Sequence, residues 1–322
     1  MSCTLRMEHI LLARWSVAAL IPDPNECDFS RKMPSGRPLA YLQKITGLRS
    51  EPTGDFSRCR SHRPRRETDV PNLRERLLSG QKVQGAFLFL ACPDVAEIMA
   101  LAGYGVLIVD REHAAADLSG ALHELRAIRS VSAAPVLARV HGAASSSVKP
   151  LLDAGFDGIV AADLRSAAEA RALVEATHYP PLGRRGAQFT VSRAARYGYD
   201  RASYVDRAGR EILVVAMIES REGVEAIAEI AAVDGIDMLF IGPLDLSSGY
   251  GRYGDLGSAE LKEAIAFAEQ RILASGRLLG GAAIDPANLP QMFDRGYSLI
   301  TSASDTGLLV QGSKAAVYHA PH

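Results

Sequence analysis

From Leu73 onward, short apolar runs of β type alternate with amphipathic runs of helical period. The β-type runs are almost continuously apolar, which is typical of parallel strands that are buried on both faces. Several helical runs end in glycine, the residue that most often follows a helix in the left-handed conformation. The eight predicted strands lie in the runs VQGAFLFL, GVLIVD, PVLARV, GIVAAD, ILVVAMIE, DMLFIG, RLLGGAAI and SLITSAS. Eight such repeats predict an α/β domain closed into a TIM, or (β/α)8, barrel.

The chain of 322 residues divides into two parts that differ in composition. Residues 71–322 contain the predicted barrel, and about 250 residues is a typical length for that fold. Residues 1–70 show no sustained period and end in SEPTGDFSRCRSHRPRRETD, which is rich in Pro, Ser and Arg and poor in aliphatic residues. Such a composition cannot bury enough apolar surface to order itself, so we expect a low-order N-terminal extension.

The composition favours a small-molecule partner over a macromolecular one. The net charge is −1, which gives no reason to expect nucleic acid or an acidic membrane surface as a partner. The arginines near the end of the extension lack accompanying aromatic residues, so they indicate a solvated linker rather than a nucleic-acid patch. The segment HILLARWSVAALIP is too short to span a bilayer. Four scattered cysteines signal neither disulfides nor zinc, which fits a cytoplasmic protein.

Two carboxylates close predicted strands and open the helical runs that follow. Glu219 ends the run VVAMIE, and Asp245 follows the run LFIG about one β/α repeat later. Because the C-terminal ends of barrel strands face one shared mouth, both acids are expected to converge there. Two hard oxygen ligands, without a cysteine or histidine pair, favour Mg²⁺ or Mn²⁺ completed by water and substrate. The alternative for each acid is a helix cap, worth about 0.5 to 2 kcal/mol without any metal.

Two further strand ends add groups that move protons or hold negative charge. The run LIVDREHA brings Asp110, Glu112 and His113 to the mouth, and the run PVLARVH brings Arg139. A carboxylate at Asp110 is expected to fix the tautomer of His113 and raise its basicity. A strand-end arginine favours oxyanion binding. The alternatives are simple packing for His113 and an ion pair with a neighbouring acid for Arg139.

A long segment separates the fourth predicted helix from the fifth predicted strand. It reads YPPLGRRGAQFTVSRAARYGYDRASYVDRAGR, and connections of this length are usually functional or disordered. Arg184 and Arg185 within it are candidates for meeting an anionic substrate. A turn fixed by the prolines and glycines of YPPLGRRG is the alternative.

Taken as a set, several motifs resemble one known enzyme family. They are DREHA, a single Arg139, LLDAG, YPPLGRRG, IESREG and IGPLDLS, in this order, and the resemblance covers about residues 72–317. The family is that of the HpcH/HpaI aldolases, metal-dependent class II enzymes that cleave a 4-hydroxy-2-oxo acid to pyruvate and an aldehyde. One alternative is a citrate-forming branch of siderophore pathways, which condenses an enolate with an acyl thioester. The other is a barrel that binds ligands without catalysis.

The resemblance implies a role for each residue at the mouth. The metal ligands fall on Glu219 and Asp245, which would hold Mg²⁺ or Mn²⁺. The acid/base histidine falls on His113 with Asp110 behind it, and the oxyanion-binding arginine falls on Arg139. The implied partners are a 2-oxo acid, either pyruvate or oxaloacetate, and an aldehyde or acyl acceptor.

The resemblance also implies a substrate-binding segment. The pyruvate carboxylate would lie against the backbone of Gly242, Pro243 and Leu244, although proline has no N–H to offer. Met217 joins this substrate-binding set. Departures from the family pattern at Arg111 and His141, and in the run VAA of the fourth strand, lie where the second substrate would be held. They leave the identity of that substrate open.

The resemblance implies a homohexamer in which the last helix packs on a neighbouring subunit. In this chain the last helical run is TGLLVQGSKAAV. Leu308, Leu309 and Val310 supply its apolar patch.

Overall fold

The structure is a computed structural model that describes residues 71–115 and 117–317. The predicted N-terminal extension, residues 1–70, lies outside the described residues. No helix in the described part of the chain combines the length and the apolar character needed to cross a membrane.

Eight parallel strands form a closed barrel, in which each strand pairs with its sequence neighbours and the last pairs with the first. The predicted (β/α)8 barrel is therefore confirmed, and each strand begins and ends within two residues of its predicted bounds. The strands are β1 (Val83–Leu88), β2 (Val106–Asp110), β3 (Val136–His141), β4 (Gly158–Ala162), β5 (Leu213–Ile218), β6 (Met238–Ile241), β7 (Leu278–Ala282) and β8 (Tyr297–Ser304).

Helices surround the barrel, and serine side chains begin several of them. Ser166, Ser220 and Ser304 each accept a hydrogen bond from the backbone N–H three residues further on. The described helices are α1 (Leu73–Leu78), α2 (Pro93–Leu101), α3 (Leu118–Val131), α4 (Ser145–Ala154), α5 (Ala167–Thr177), α6 (Arg201–Glu211), α7 (Arg221–Glu225), α8 (Ile227–Ala231), α9 (Pro243–Gly249), α10 (Ala259–Ala274), α11 (Leu289–Asp294) and α12 (Asp305–Ala316).

Alternation along the strands separates two apolar clusters, one inside the barrel and one between sheet and helices. On β5, for example, Val215 and Met217 belong to the inner cluster, whereas Ala216 belongs to the outer one. Since side chains two positions apart share a face of a strand, the next inward position after Met217 is Glu219. The same count places Asp110 inward at the end of β2 and Arg139 inward near the end of β3. The barrel's inward register therefore directs three of the predicted site residues to one place.

The long segment between α5 and β5 lies at the end of the barrel opposite the mouth, because it connects a helix to the strand that follows. It contains α6, which the sequence pattern did not indicate. Arg185 is fully buried there and donates to the carboxylate of Asp153 and the hydroxyl of Tyr204. Arg184 is exposed and lies 3.5 Å from the carboxylate of Glu175. The structure therefore places neither arginine near a substrate bound at the mouth.

Candidate active site

A cavity of about 380 Å³ opens at the C-terminal ends of β2 to β6. His113, Glu219 and Asp245 line it, as the positions of their strands predict. Asp110 and Arg139 are buried below its walls, with exposed fractions of 1 % and 6 %. One mouth thus brings together residues that lie up to 135 positions apart in the sequence.

Glu219 has one carboxylate oxygen held by the backbone and the other set against a glycine. Oε1 accepts a hydrogen bond of 2.8 Å from the N–H of Asp163. A Cβ atom built on Gly242 would lie 2.5 Å from Oε2, so a side chain at that position would displace the carboxylate. Gly242 directly precedes α9, whose first turn carries Asp245. The bond to Asp163 and the space left by Gly242 together leave Oε2 accessible beside the second predicted ligand.

Burial and neighbouring negative charge both disfavour the ionised form of Glu219. Burial, followed by the negative charges of Asp245 and Glu112, raises the pKa of Glu219 to about 8, and Arg139 acts in the opposite direction. A divalent ion between Glu219 and Asp245 would offset this repulsion. The described residues contain no group of three His, Cys, Asp or Glu side chains arranged around an ion. The protein would therefore supply two carboxylates, a donor set that fits Mg²⁺ or Mn²⁺ completed by water and substrate.

Arg139 is fixed in orientation but keeps one nitrogen without a hydrogen-bond partner. It lies opposite Asp110 in the register of β2 and β3, and its Nε is 2.5 Å from Oδ1 of that residue. Its guanidinium carbon lies 4.8 and 5.4 Å from the ring centres of Phe87 and Phe89. Its buried Nη2 has no hydrogen-bond partner among the described residues. An unsatisfied buried donor costs about 1 to 3 kcal/mol, so this nitrogen is suited to receive an oxygen of an anionic ligand.

The structure places Glu112, and not Asp110, beside the ring of His113. Asp110 accepts hydrogen bonds of 2.7 and 2.9 Å from the backbone N–H groups of His113 and Ala114. Its carboxylate is thus occupied by Arg139 and by the turn that follows β2. Nε2 of His113, whose side chain is 57 % exposed, lies 3.6 Å from Oε2 of Glu112. The other oxygen of Glu112 lies 3.3 Å from Nδ1 of His141.

The predicted substrate-binding segment is only partly available to a ligand. The N–H of Gly242 donates to the carbonyl of the last β5 residue, and Pro243 has no N–H. Leu244 lies in the first turn of α9, where N–H groups have no partner inside the helix. Met217 is 1 % exposed and packs in the inner apolar cluster, one inward position below Glu219. Met217 therefore belongs to the floor beneath the cavity and does not line it.

Asp163 and Arg165 are site residues that the sequence analysis missed. Asp163 has a φ of 52°, a left-handed conformation that is uncommon outside glycine, and its N–H holds Glu219. Its carboxylate accepts hydrogen bonds of 2.9 Å from Nε and 2.6 Å from Nη2 of Arg165. Both residues line the cavity. Both residues follow the C-terminal end of β4, so their position in the sequence could have marked them as residues of the mouth.

A comparison with descriptions of protein families shows which family this chain matches. The description "HpcH/HpaI aldolase/citrate lyase" matches residues 84–311. The chain belongs to this family. The resemblance seen in the motifs is thereby confirmed, and the matched span contains every candidate site residue of this HpcH/HpaI member.

Individual relatives match about three quarters of this chain. The hydroxypyruvate/pyruvate aldolase of Pseudomonas aeruginosa is 36 % identical over 242 residues, which is 75 % of this chain and 90 % of the relative. The 2-keto-3-deoxy-L-rhamnonate aldolase of Klebsiella pneumoniae is 36 % identical over 235 residues, or 73 % and 87 % of the two chains. A crystal structure of a family protein from Burkholderia cenocepacia matches with a TM-score of 0.72 and 32 % identity, and covers 76 % of this chain and 96 % of that one.

Proposed function

We propose that this HpcH/HpaI family member is a metal-dependent aldolase that cleaves or forms the C3–C4 bond of a 4-hydroxy-2-oxo acid through a pyruvate enolate. The observation that carries the proposal is the convergence of Glu219, Asp245, Arg139 and His113 on one mouth. The names of the relatives support a lyase of the aldolase type, and they differ in the substrate that they state.

Glu219 and Asp245 are the residues that would hold Mg²⁺ or Mn²⁺. The bound ion supplies Lewis-acid chemistry toward the carboxylate and keto oxygens of a 2-oxo acid. Arg139 donates from its free Nη2 to the oxygen on which negative charge develops as the enolate forms. Because Asp110 already holds Nε of Arg139, the guanidinium does not have to reorient when that charge appears.

His113 serves as the proton carrier for the 4-hydroxyl group. In cleavage its ring accepts the hydroxyl proton while the C3–C4 bond breaks, and in synthesis it returns that proton to the new alkoxide. Asp110 fixes the backbone of His113 through the turn after β2, whereas Glu112 lies beside the ring. Two carboxylates thus position the histidine in two different ways.

Exchange of the methyl protons of pyruvate with deuterated water tests this function without knowledge of the second substrate. With Mn²⁺ or Mg²⁺ present, we expect the full chain to catalyse exchange, and a chelator should remove that activity. Proton NMR of the methyl signal measures the rate. Undiminished exchange after exhaustive chelation would contradict the metal requirement. No exchange with either ion would contradict formation of the enolate, and it is the result expected of a barrel that binds ligands without catalysis.

Two reaction mixtures separate the aldolase from a citrate-forming condensation, because only the condensation consumes a thioester and releases a free thiol. An aldehyde incubated with pyruvate, protein and Mn²⁺ should yield a 4-hydroxy-2-oxo acid. Acetyl-CoA incubated with oxaloacetate or pyruvate should release no free thiol. Thiol release without aldehyde addition would favour the condensing branch instead.

We expect the chain to form a homohexamer through α12. This helix exposes three neighbouring apolar side chains, Leu308, Leu309 and Val310, at 43 %, 58 % and 51 %. Contiguous exposed apolar residues mark surfaces that bind another protein. Light scattering should give six times the chain mass of 34.5 kDa. Leu309→Arg should lower that mass, while Leu273→Arg, on the 45 % exposed position of α10, should not. An active monomer would contradict this prediction.

A further inference from the structure

Nearly all residues that line the mouth cavity carry polar or charged side chains. Eleven described residues line it, of which ten carry polar or charged side chains and the other is Gly249. The aromatic rings of Phe87 and Phe89 contact the guanidinium of Arg139 and are not among the residues that line the cavity. An alkyl group placed in this cavity would remove hydrogen-bonding groups from water without giving them partners, which is unfavourable. The walls therefore suit an acceptor that carries hydrogen-bonding groups of its own.

The charge of the lining distinguishes a neutral acceptor from an anionic one. Five carboxylates and two guanidinium groups line the cavity, besides two imidazole rings. A divalent ion held by Glu219 and Asp245 would bring the lining close to neutrality. The 2-oxo acid then adds a negative charge that Arg139 is positioned to meet. The described lining keeps no surplus positive charge for a second anion, so the charge balance favours a neutral acceptor.

Arg165 is the lining group best arranged to recognise such an acceptor. Its side chain is 52 % exposed, and one edge of its guanidinium donates hydrogen bonds from Nε and Nη2 to the carboxylate of Asp163. No hydrogen bond within the described residues uses its Nη1. A guanidinium already fixed on one edge loses less conformational entropy when the other edge binds a ligand. Arg221 differs, because its Nε donates to the carbonyl of Gly249 and its guanidinium stacks on a tyrosine ring.

We propose that the second substrate is a neutral, hydroxylated aldehyde, and that Arg165 selects it by donating a hydrogen bond to the hydroxyl group. This inference rests on the proposed aldolase function and names the substrate class of the same site. Asp163 contributes by holding the guanidinium toward the cavity.

Three two-carbon aldehydes that differ in one substituent test the proposal. Acetaldehyde carries a methyl group, glycolaldehyde a hydroxymethyl group and glyoxylate a carboxylate. The measurement is kcat/KM for addition to pyruvate with the full chain and Mn²⁺. Because the aldehydes differ in intrinsic reactivity, the readout for each aldehyde is the ratio of kcat/KM in the wild type to kcat/KM in Arg165→Met. We expect the loss for glycolaldehyde to exceed that for acetaldehyde by about 10- to 100-fold, mainly through KM, as for one hydrogen bond from a charged donor.

Arg171→Met is the matched control, because Arg171 is an exposed arginine on α5 outside this cavity. This variant should leave kcat/KM unchanged for acetaldehyde and for glycolaldehyde. Equal losses for acetaldehyde and glycolaldehyde would overturn the proposal, because Arg165 would then act only through Asp163 and Glu219. A loss for glyoxylate larger than that for glycolaldehyde would overturn the neutral acceptor. Pyruvate exchange without aldehyde tests the aldolase function separately from the choice of aldehyde. Its absence in the wild type refutes the aldolase function and this inference together, whereas exchange combined with equal losses refutes the inference alone.

Discussion

Glu219→Gln and Asp245→Asn are each expected to abolish metal-dependent pyruvate exchange while the barrel stays folded. In the proposed site the two carboxylates would supply the protein's negative charge to the ion. Removal of either should therefore lower Mn²⁺ affinity by more than the roughly 10- to 100-fold typical of groups that only support a ligand. The fold should survive, because Glu219→Gln removes a charge whose pKa is raised by burial and by the charges of Asp245 and Glu112, and because Asp245 is exposed. Mn²⁺ affinity by calorimetry and the exchange rate by NMR measure the effect.

Glu225→Gln is the control, because this exposed α7 carboxylate does not line the cavity. Gly242→Ala provides an independent variant that keeps both ligands. Its Cβ would lie 2.5 Å from Oε2 of Glu219, so it should weaken Mn²⁺ binding without removing charge. Unchanged Mn²⁺ affinity in both Glu219→Gln and Asp245→Asn would contradict the assigned ligands.

His113→Ala and Arg139→Ala should affect two reactions in different proportions. His113→Ala should lower aldol cleavage by roughly 10² to 10⁴, the usual contribution of a general base. Pyruvate exchange should suffer less, because it involves no 4-hydroxyl group and water can serve as the base. Arg139→Ala should lower both reactions by about 10² to 10³, or roughly 3 to 4 kcal/mol, since both pass through the enolate.

The ratio of cleavage to exchange within each variant is the readout, because folding defects largely cancel in it. This matters for Arg139, whose removal leaves the buried carboxylate of Asp110 without its ion-pair partner. Thermal melting of both variants reports any such defect. Equal losses of cleavage and exchange in His113→Ala, together with no loss in Arg139→Ala, would show that the roles are assigned wrongly.

The fold follows from the sequence because its signals are local and repeated. Each β-type run has a polar, proline or glycine residue at one or both ends, and most carry the nearly continuous apolar character of a strand buried on both sides. The inward count on β5, from Val215 through Met217 to Glu219, already directs the carboxylate to the mouth. The candidate ligands could therefore be predicted from strand ends alone.

Contacts within the site depend on register and on turn geometry, which the sequence does not display. Asp110 lies three residues before His113, a spacing that invites a contact with the ring. In the structure the turn instead directs the backbone N–H of His113 to that carboxylate, and the register of β2 and β3 sets Asp110 opposite Arg139. Runs of similar apolar residues do not fix such a register. The left-handed conformation of Asp163 is equally invisible in the run VAAD, so its hold on Glu219 appears only in three dimensions.

Anomalous diffraction from crystals grown with Mn²⁺ and pyruvate would locate the ion directly. We expect one anomalous peak within about 2.0 to 2.4 Å of Oε2 of Glu219 and of a carboxylate oxygen of Asp245, the range for hard divalent ions with oxygen ligands. Nη2 of Arg139 should lie within hydrogen-bond distance of a pyruvate oxygen. Pyruvate bound at the mouth with no anomalous peak between these two carboxylates would show that Glu219 and Asp245 do not hold the ion.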